Sequence, residues 1–210
     1  MRAPLFALLG LLILAPARAA EDPAAAAVPV APSADPTQVR PGAYVLDPDH
    51  GKITWSVSHL GYSTYYGQFA GLTGTLTLDP KAPEKSRLAV SVPLAGVITG
   101  STRLNEHLAA PDFFDTAKFP AATFTATTVE PTSPTTARIT GDLNLRGTVR
   151  PLAIDATFNQ AGIHPVDQRY TVGFDGRAMV KRSEFGINAY LPGLGDEVSL
   201  RIEGEFKAVP

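Results

Sequence analysis

The chain has 210 residues, 18 basic against 20 acidic, and no cysteine. Disulfide staples, cysteine nucleophiles and cysteine-linked lipids are therefore excluded. A formal net charge of −2 gives no field to attract polyanions, so nucleic acid and anionic membrane surfaces are poor partners.

Arg2 and the free amino terminus precede an apolar stretch from Leu5 to Leu14. Pro16 ends it, and Ala17-Arg18-Ala19 offers the small-x-small pattern of a signal-peptidase site. The stretch is shorter than the roughly 20 apolar residues of a spanning helix. Residues 1–19 thus read as a cleaved export signal, not a stable membrane anchor, and the mature protein is expected to be soluble and periplasmic. Loss of Arg2 and Arg18 leaves 16 basic against 20 acidic residues. Residues 20–41 hold seven Ala and five Pro with almost no branched or aromatic side chain. That composition predicts a disordered tether, because it cannot bury enough apolar area to offset its ordering entropy. From Gly42 to Pro210 the chain is long enough to build a core without disulfides.

A short strand, Ala43 to Asp47, and a turn-rich stretch, Asp47-Pro48-Asp49-His50-Gly51, open the domain. Eight alternating runs follow, at 52–58, 68–78, 88–94, 122–129, 137–145, 150–158, 170–180 and 198–206. A period of two marks strands with one dry and one wet face. The last run puts Val198, Leu200, Ile202, Gly204 and Phe206 on one side and Ser199, Arg201, Glu203 and Glu205 on the other. Residues 61–67, rich in Gly and Tyr, read as a connection. Arg146-Gly147 between two runs predicts a hairpin. Eight strands on one short domain predict an all-β, extended, eight-stranded antiparallel barrel, the size that just encloses one ligand.

Two stretches break the alternation. From Thr102 to Ala110 the spacing of Leu104 and Leu108 fits a helical turn, with Thr102 as N-cap. So short a helix must dock to persist, and Phe113-Phe114 supplies apolar surface for it. Residues 100–118 thus predict a short helical insertion at one mouth of the barrel. Lys181 to Gly195 forms a Gly- and Pro-rich excursion carrying Arg182, Glu184, Phe185, Asn188 and Tyr190. Connections of this length are usually functional or disordered.

Several ordered stretches carry a family resemblance. They are Tyr44-Val45-Leu46-Asp47 with His50, Ile53 to Gly61, Gly67-Gln68-Phe69, Asn105-Glu106-His107-Leu108 with Asp112-Phe113-Phe114-Asp115, Gly141 to Thr148, and Lys181 to Ile187 with Asp196-Glu197-Val198. Together they resemble the YceI-like family of periplasmic lipid- and polyisoprenoid-binding proteins with a lipocalin-like shape, across 43–207. Trp55, where the family often has Phe, and Glu106, where it often has Asp, depart mildly. The resemblance implies an antiparallel barrel whose bore holds a long isoprenoid tail. The function expected is carriage or storage of such a lipid, of quinone or prenyl phosphate type, without chemistry and without a cofactor. Trp55, Val57, Phe124, Phe158 and Phe174 are then the bore's candidate ligand contacts.

At the mouth, His59 ends a strand and could hydrogen-bond a head group. Arg182 offers a planar, permanently charged fork suited to phosphate or quinone oxygens; the competing reading is an ion pair with Glu184 or Asp112 that pins the excursion. Phe113, Phe114 and Phe185 either gate the mouth or anchor its loops. His50, His59, His107 and His164 show no metal-ligand spacing, so no metal is expected. No Gly-x-Ser-x-Gly elbow exists. The rival classes are a lipid-modifying enzyme using the same cavity and a structural module with a filled bore. A homodimer is left open.

Overall fold

The computed structural model describes residues 31–210; the expected signal and the first half of the tether lie outside them. Eleven strands form one antiparallel sheet: β1 (Gly42–Leu46), β2 (Lys52–His59), β3 (Ser63–Phe69), β4 (Thr73–Leu78), β5 (Arg87–Pro93), β6 (Val97–Ile98), β7 (Ala121–Pro131), β8 (Thr136–Leu145), β9 (Thr148–Ile163), β10 (Tyr170–Lys181) and β11 (Leu194–Ala208). The long β11 closes it. One edge pairs with β10 from Lys181↔Glu197 to Thr171↔Lys207. The other edge meets β2 from His59↔Leu194 to Lys52↔Glu203, and then β1 at Leu46↔Phe206 and Tyr44↔Ala208.

β1 and β2 are therefore two halves of one stave, bent at Asp47–Gly51. β3 and β4 are likewise halves of the next, since β2 pairs with β3 and β1 with β4. Gly71, at φ 70°, makes the bend between them, a backbone region that disfavours other side chains. With β5 and β6 sharing a third stave, the barrel has eight. Arg146 and Gly147, both with positive φ (54° and 74°), make the tight turn between β8 and β9, as two-residue hairpins require.

Three expectations need revision. Residues 63–67 are strand, not connection: their burial alternates about half-buried Tyr65 and buried Gly67, so an aromatic and a glycine carry the inward face where aliphatics usually do. Ser101, not Thr102, caps the helix, its Oγ accepting from the Leu104 N–H at 3.4 Å, and α1 is Thr102–Ala109. The third concerns the tether. Ser33 exchanges backbone hydrogen bonds of 2.8 and 2.9 Å with Ala161, and Val39 is buried in the core. The chain thus lies on the barrel from Ser33 onward, held by this bridge, by Val39 and by Arg40, whose N–H donates to the Tyr170 hydroxyl at 3.2 Å and whose guanidinium lies over that ring.

The barrel has two unlike ends. At the base, the Asp47–Gly51 bend, the β9–β10 turn and the end of β11 meet in an ion network. Lys207 Nζ lies 2.7 Å from Asp47 Oδ2 and also donates to Asp167. His50 Nδ1 lies 2.8 Å from Asp47 Oδ2, and His164 Nδ1 3.3 Å from Asp167 Oδ1. Burial pushes the Asp47 carboxyl up, but Lys207, His50 and the Asp49 N–H outweigh it and hold it well below the usual carboxylate range. His50 is raised by its bond to Asp47 and by Glu205.

A depressed carboxyl stabilises the fold above its unfolded value of about 3.9 and loses that contribution as pH falls through its folded value. A raised histidine stabilises below about 6.5 and loses its contribution as pH rises through its folded value. Unfolding by urea should therefore show greatest stability between these limits, and Asp47→Asn should flatten the profile on both sides. An unchanged acid limb in Asp47→Asn would contradict this role.

Candidate functional site

The other end carries the mouth. Here α1, the segment through Phe113-Phe114, and the excursion after β10 fold over the strand ends. They enclose a cavity of about 440 Å³ in the mouth half of the bore, within the size range of ligand pockets. Its wall comes from β2 (Ile53, Trp55, Val57, His59), β3 (Tyr65, Phe69), β11 (Leu194, Val198, Leu200) and the inward residues Val92, Ala122, Leu143, Leu145 and Val180. Its roof comes from Leu104, His107 and Leu108 of α1, Phe113, Phe114, Ile187 and Tyr190. Nearly every atom facing the void is apolar.

Of the ten residues singled out in the sequence, the structure brings six together here: Trp55, Val57, His59, Phe113, Phe114 and Arg182. The other four lie elsewhere. Phe158 and Phe174 pack edge-on at 5.7 Å, and Phe174 reaches Phe206 at 6.2 Å; this stack lies toward the base. Phe124 is buried with its ring tip where a Cβ on Gly141 would lie. Phe185 is buried beside a second hollow of about 240 Å³, shared with Leu152, Met179 and Lys181. Alternation gives the face a residue points to but not its depth along the bore.

Arg182 is buried, and all three of its nitrogens are committed. Nε donates to Gly195 O at 2.7 Å, Nη1 to Ile187 O at 2.9 Å and Nη2 to Leu194 O at 2.8 Å. Neither Glu184 nor Asp112 pairs with it. Burial draws its pKa down, opposed by Asp196, which is itself fixed by the Ser183 N–H and hydroxyl. The guanidinium is thus a clamp on the excursion rather than a free donor.

Arg146 does the same outside: it donates to Gly186 O at 2.6 Å and to Pro111 O, tying the excursion and the insertion to the β8–β9 turn. The sequence marks Arg146 only as a turn residue, because a backbone carbonyl acceptor leaves no mark in sequence. It also left Ile187 and Leu194 unassigned, although both sit in the excursion it flagged.

Trp55 is the bulkiest side chain in the wall. Its indole presses on Gly67, where any Cβ would lie 2.2 Å from Cζ2, so the glycine is what lets the ring lie against the wall. The indole N–H is buried and has no hydrogen-bond partner. Around the opening, His107 packs edge-on to Phe113 at 4.9 Å, Tyr190 stacks near Phe113 at 6.3 Å, and His59 lies 6.2 Å from Tyr65. Among the described residues, one cluster has metal-ligand chemistry, Asp47, His50 and Glu205 at the base, and the Lys207 ammonium already sits against its shared carboxylate.

Residues 44–206 match the YceI-like domain family. The chain belongs to that family. A UPF0312 protein of Pseudomonas savastanoi pv. phaseolicola is 38% identical over 146 residues, covering 69% of this chain and 76% of that protein. Among solved YceI-like structures, the Campylobacter jejuni YCEI protein superposes with a TM-score of 0.66 at 28% identity, over 72% of this chain and 90% of its own. A polyisoprenoid binding domain from Saccharophagus degradans, implicated in plant cell wall breakdown, has the same fold. It matches at TM-score 0.58 and 14% identity, over 81% of this chain and all of that domain.

Proposed function

We propose that the protein binds the apolar chain of a long isoprenoid lipid in the mouth-half cavity and carries or stores it unchanged, in the periplasm after removal of the signal. The observation that carries this reading is the almost wholly apolar cavity, open at the mouth and partly roofed by α1 and the excursion. The polyisoprenoid-binding neighbour of the same fold supports it. Magnitude favours a long chain. Burial gives about 0.8 kcal/mol per methylene, so about 20 carbons supply roughly 16 kcal/mol, against an association cost of about 4–15 kcal/mol.

Within that class, a neutral head group of quinone or alcohol type fits better than a phosphate. The single fully charged side chain in the wall, Arg182, spends its donors on three backbone carbonyls. A phosphate brought there would be desolvated without a free partner. Among the described residues the polar side chains of the lining are His59, His107, Tyr65, Tyr190 and the committed Arg182, and this reading assigns them binding rather than turnover.

Trp55 is the sole tryptophan and lines the cavity, so its emission reports occupancy. A long prenyl alcohol should give a saturable change in emission and a phosphate of equal length a weaker one, while a short-chain alcohol gives none. No saturable change with any long prenyl chain would defeat the proposal.

A further inference from the structure

The rim of the cavity has an unusual chemistry. From Ile53 to Leu78, and again from Phe185 to Gly195, the chain contains no Asp, Glu, Lys or Arg. These two segments meet at the mouth. The Leu60 N–H donates to Gly193 O at 2.9 Å, and the Leu194 N–H to Tyr190 O at 2.8 Å. Leu60 and Tyr190 hold positive φ of 54° and 61°, a conformation uncommon for side chains this large. Both line the cavity, yet they are 51% and 63% exposed, and Tyr62 at the tip between β2 and β3 is 89% exposed. On the side formed by these two segments the mouth thus presents a lip of leucine and tyrosine without Asp, Glu, Lys or Arg that continues directly into the apolar bore, while the exposed charges Arg103 and Glu106 belong to α1.

We propose that this lip seats the mouth on a lipid bilayer, with Leu60, Tyr62 and Tyr190 entering its interfacial layer. The inference rests on the cavity holding a membrane-soluble chain. Such a chain resides in a bilayer, and a lip that reaches the interface lets it slide into the bore without crossing water. Tyrosine suits that layer because its ring is apolar and its hydroxyl wet. A second copy of the chain fits less well. Three side chains at two loop tips, with about 150–250 Å² for each aromatic, fall short of the roughly 800 Å² per partner of a stable interface. Since the lip carries no charge, attachment should need no anionic lipid and should persist in high salt.

The test uses the full mature chain and neutral phosphatidylcholine vesicles in a flotation assay. Tyr62 does not line the cavity, so Tyr62→Asp alters the lip and not the bore. It should reduce the vesicle-bound fraction about tenfold, while the Trp55 response to a detergent-dispersed prenyl alcohol is unchanged. Val166→Asp, an equally exposed apolar position in the β9–β10 turn at the base, should float like wild type.

Wild-type protein that stays off neutral vesicles, or equal flotation of wild type and Tyr62→Asp, would overturn the proposal. So would a Tyr62→Asp effect confined to self-association in sedimentation, which would assign the lip to a second copy. Flotation that depends on Tyr62, together with no Trp55 response to any prenyl lipid, would instead remove the cavity reading and leave the lip standing.

Discussion

Replacing Arg182 by alanine should lower stability by about 3–5 kcal/mol and weaken a neutral and a phosphorylated prenyl lipid to the same degree. Three charge-assisted bonds end on Gly195, Ile187 and Leu194, and each such bond contributes about 1.5–3 kcal/mol, less when several are lost together. The truncation also strands three carbonyls in a mostly buried setting, one of the few mechanisms that gives large losses. Ile187 and Leu194 belong to the cavity wall, so freeing their backbone loosens the roof for every ligand. Arg182→Lys should rescue little, because a point charge cannot reach three diverging acceptors. Urea unfolding followed by titration with the two lipids separates the alternatives. A loss confined to the phosphorylated lipid, with stability intact, would mean that the guanidinium reads a head group after all.

Filling the cavity should abolish binding while leaving the fold in place. Ala122 of β7 is buried and faces the void, so Ala122→Phe would occupy space that the lipid needs. Excluding about five methylene-sized units removes about 4 kcal/mol of burial, close to a thousandfold in affinity. Overpacking a filled core costs about 1–3 kcal/mol, but here the ring enters empty space and the melting temperature should move by only a few degrees. If Ala122→Phe bound a long prenyl alcohol as wild type does, the lipid would lie somewhere other than this cavity.

Much of the barrel was legible in the sequence, for a definite reason. The eight alternating runs fall one on each of the eight staves, and a period of two is visible wherever the dry face is aliphatic. It failed at Ser63–Gly67, where Tyr65 and Gly67 are the inward residues and no aliphatic marks the face. It also said nothing of depth: Phe158, Phe174 and Trp55 share one dry side, yet the first two stack toward the base and only Trp55 reaches the cavity. The helical insertion was legible from Leu104 and Leu108, both of which face the cavity. Arg182 was visible as a charge in a loop, but its partners are backbone carbonyls, which every residue possesses. The segment after Ser33 was hidden because a backbone bridge, Val39 and Arg40 hold it, and a run of alanine and proline around them carries no periodic apolar face.

The central claim, that the mouth-half cavity holds a long isoprenoid chain, is tested most directly by native mass spectrometry of the protein purified from its own cells. Wild type is expected to carry a non-covalent adduct of lipid mass, displaced by added prenyl alcohol and missing from Ala122→Phe. Bare wild-type protein that takes up no long prenyl chain, or an adduct retained unchanged by Ala122→Phe, would contradict it.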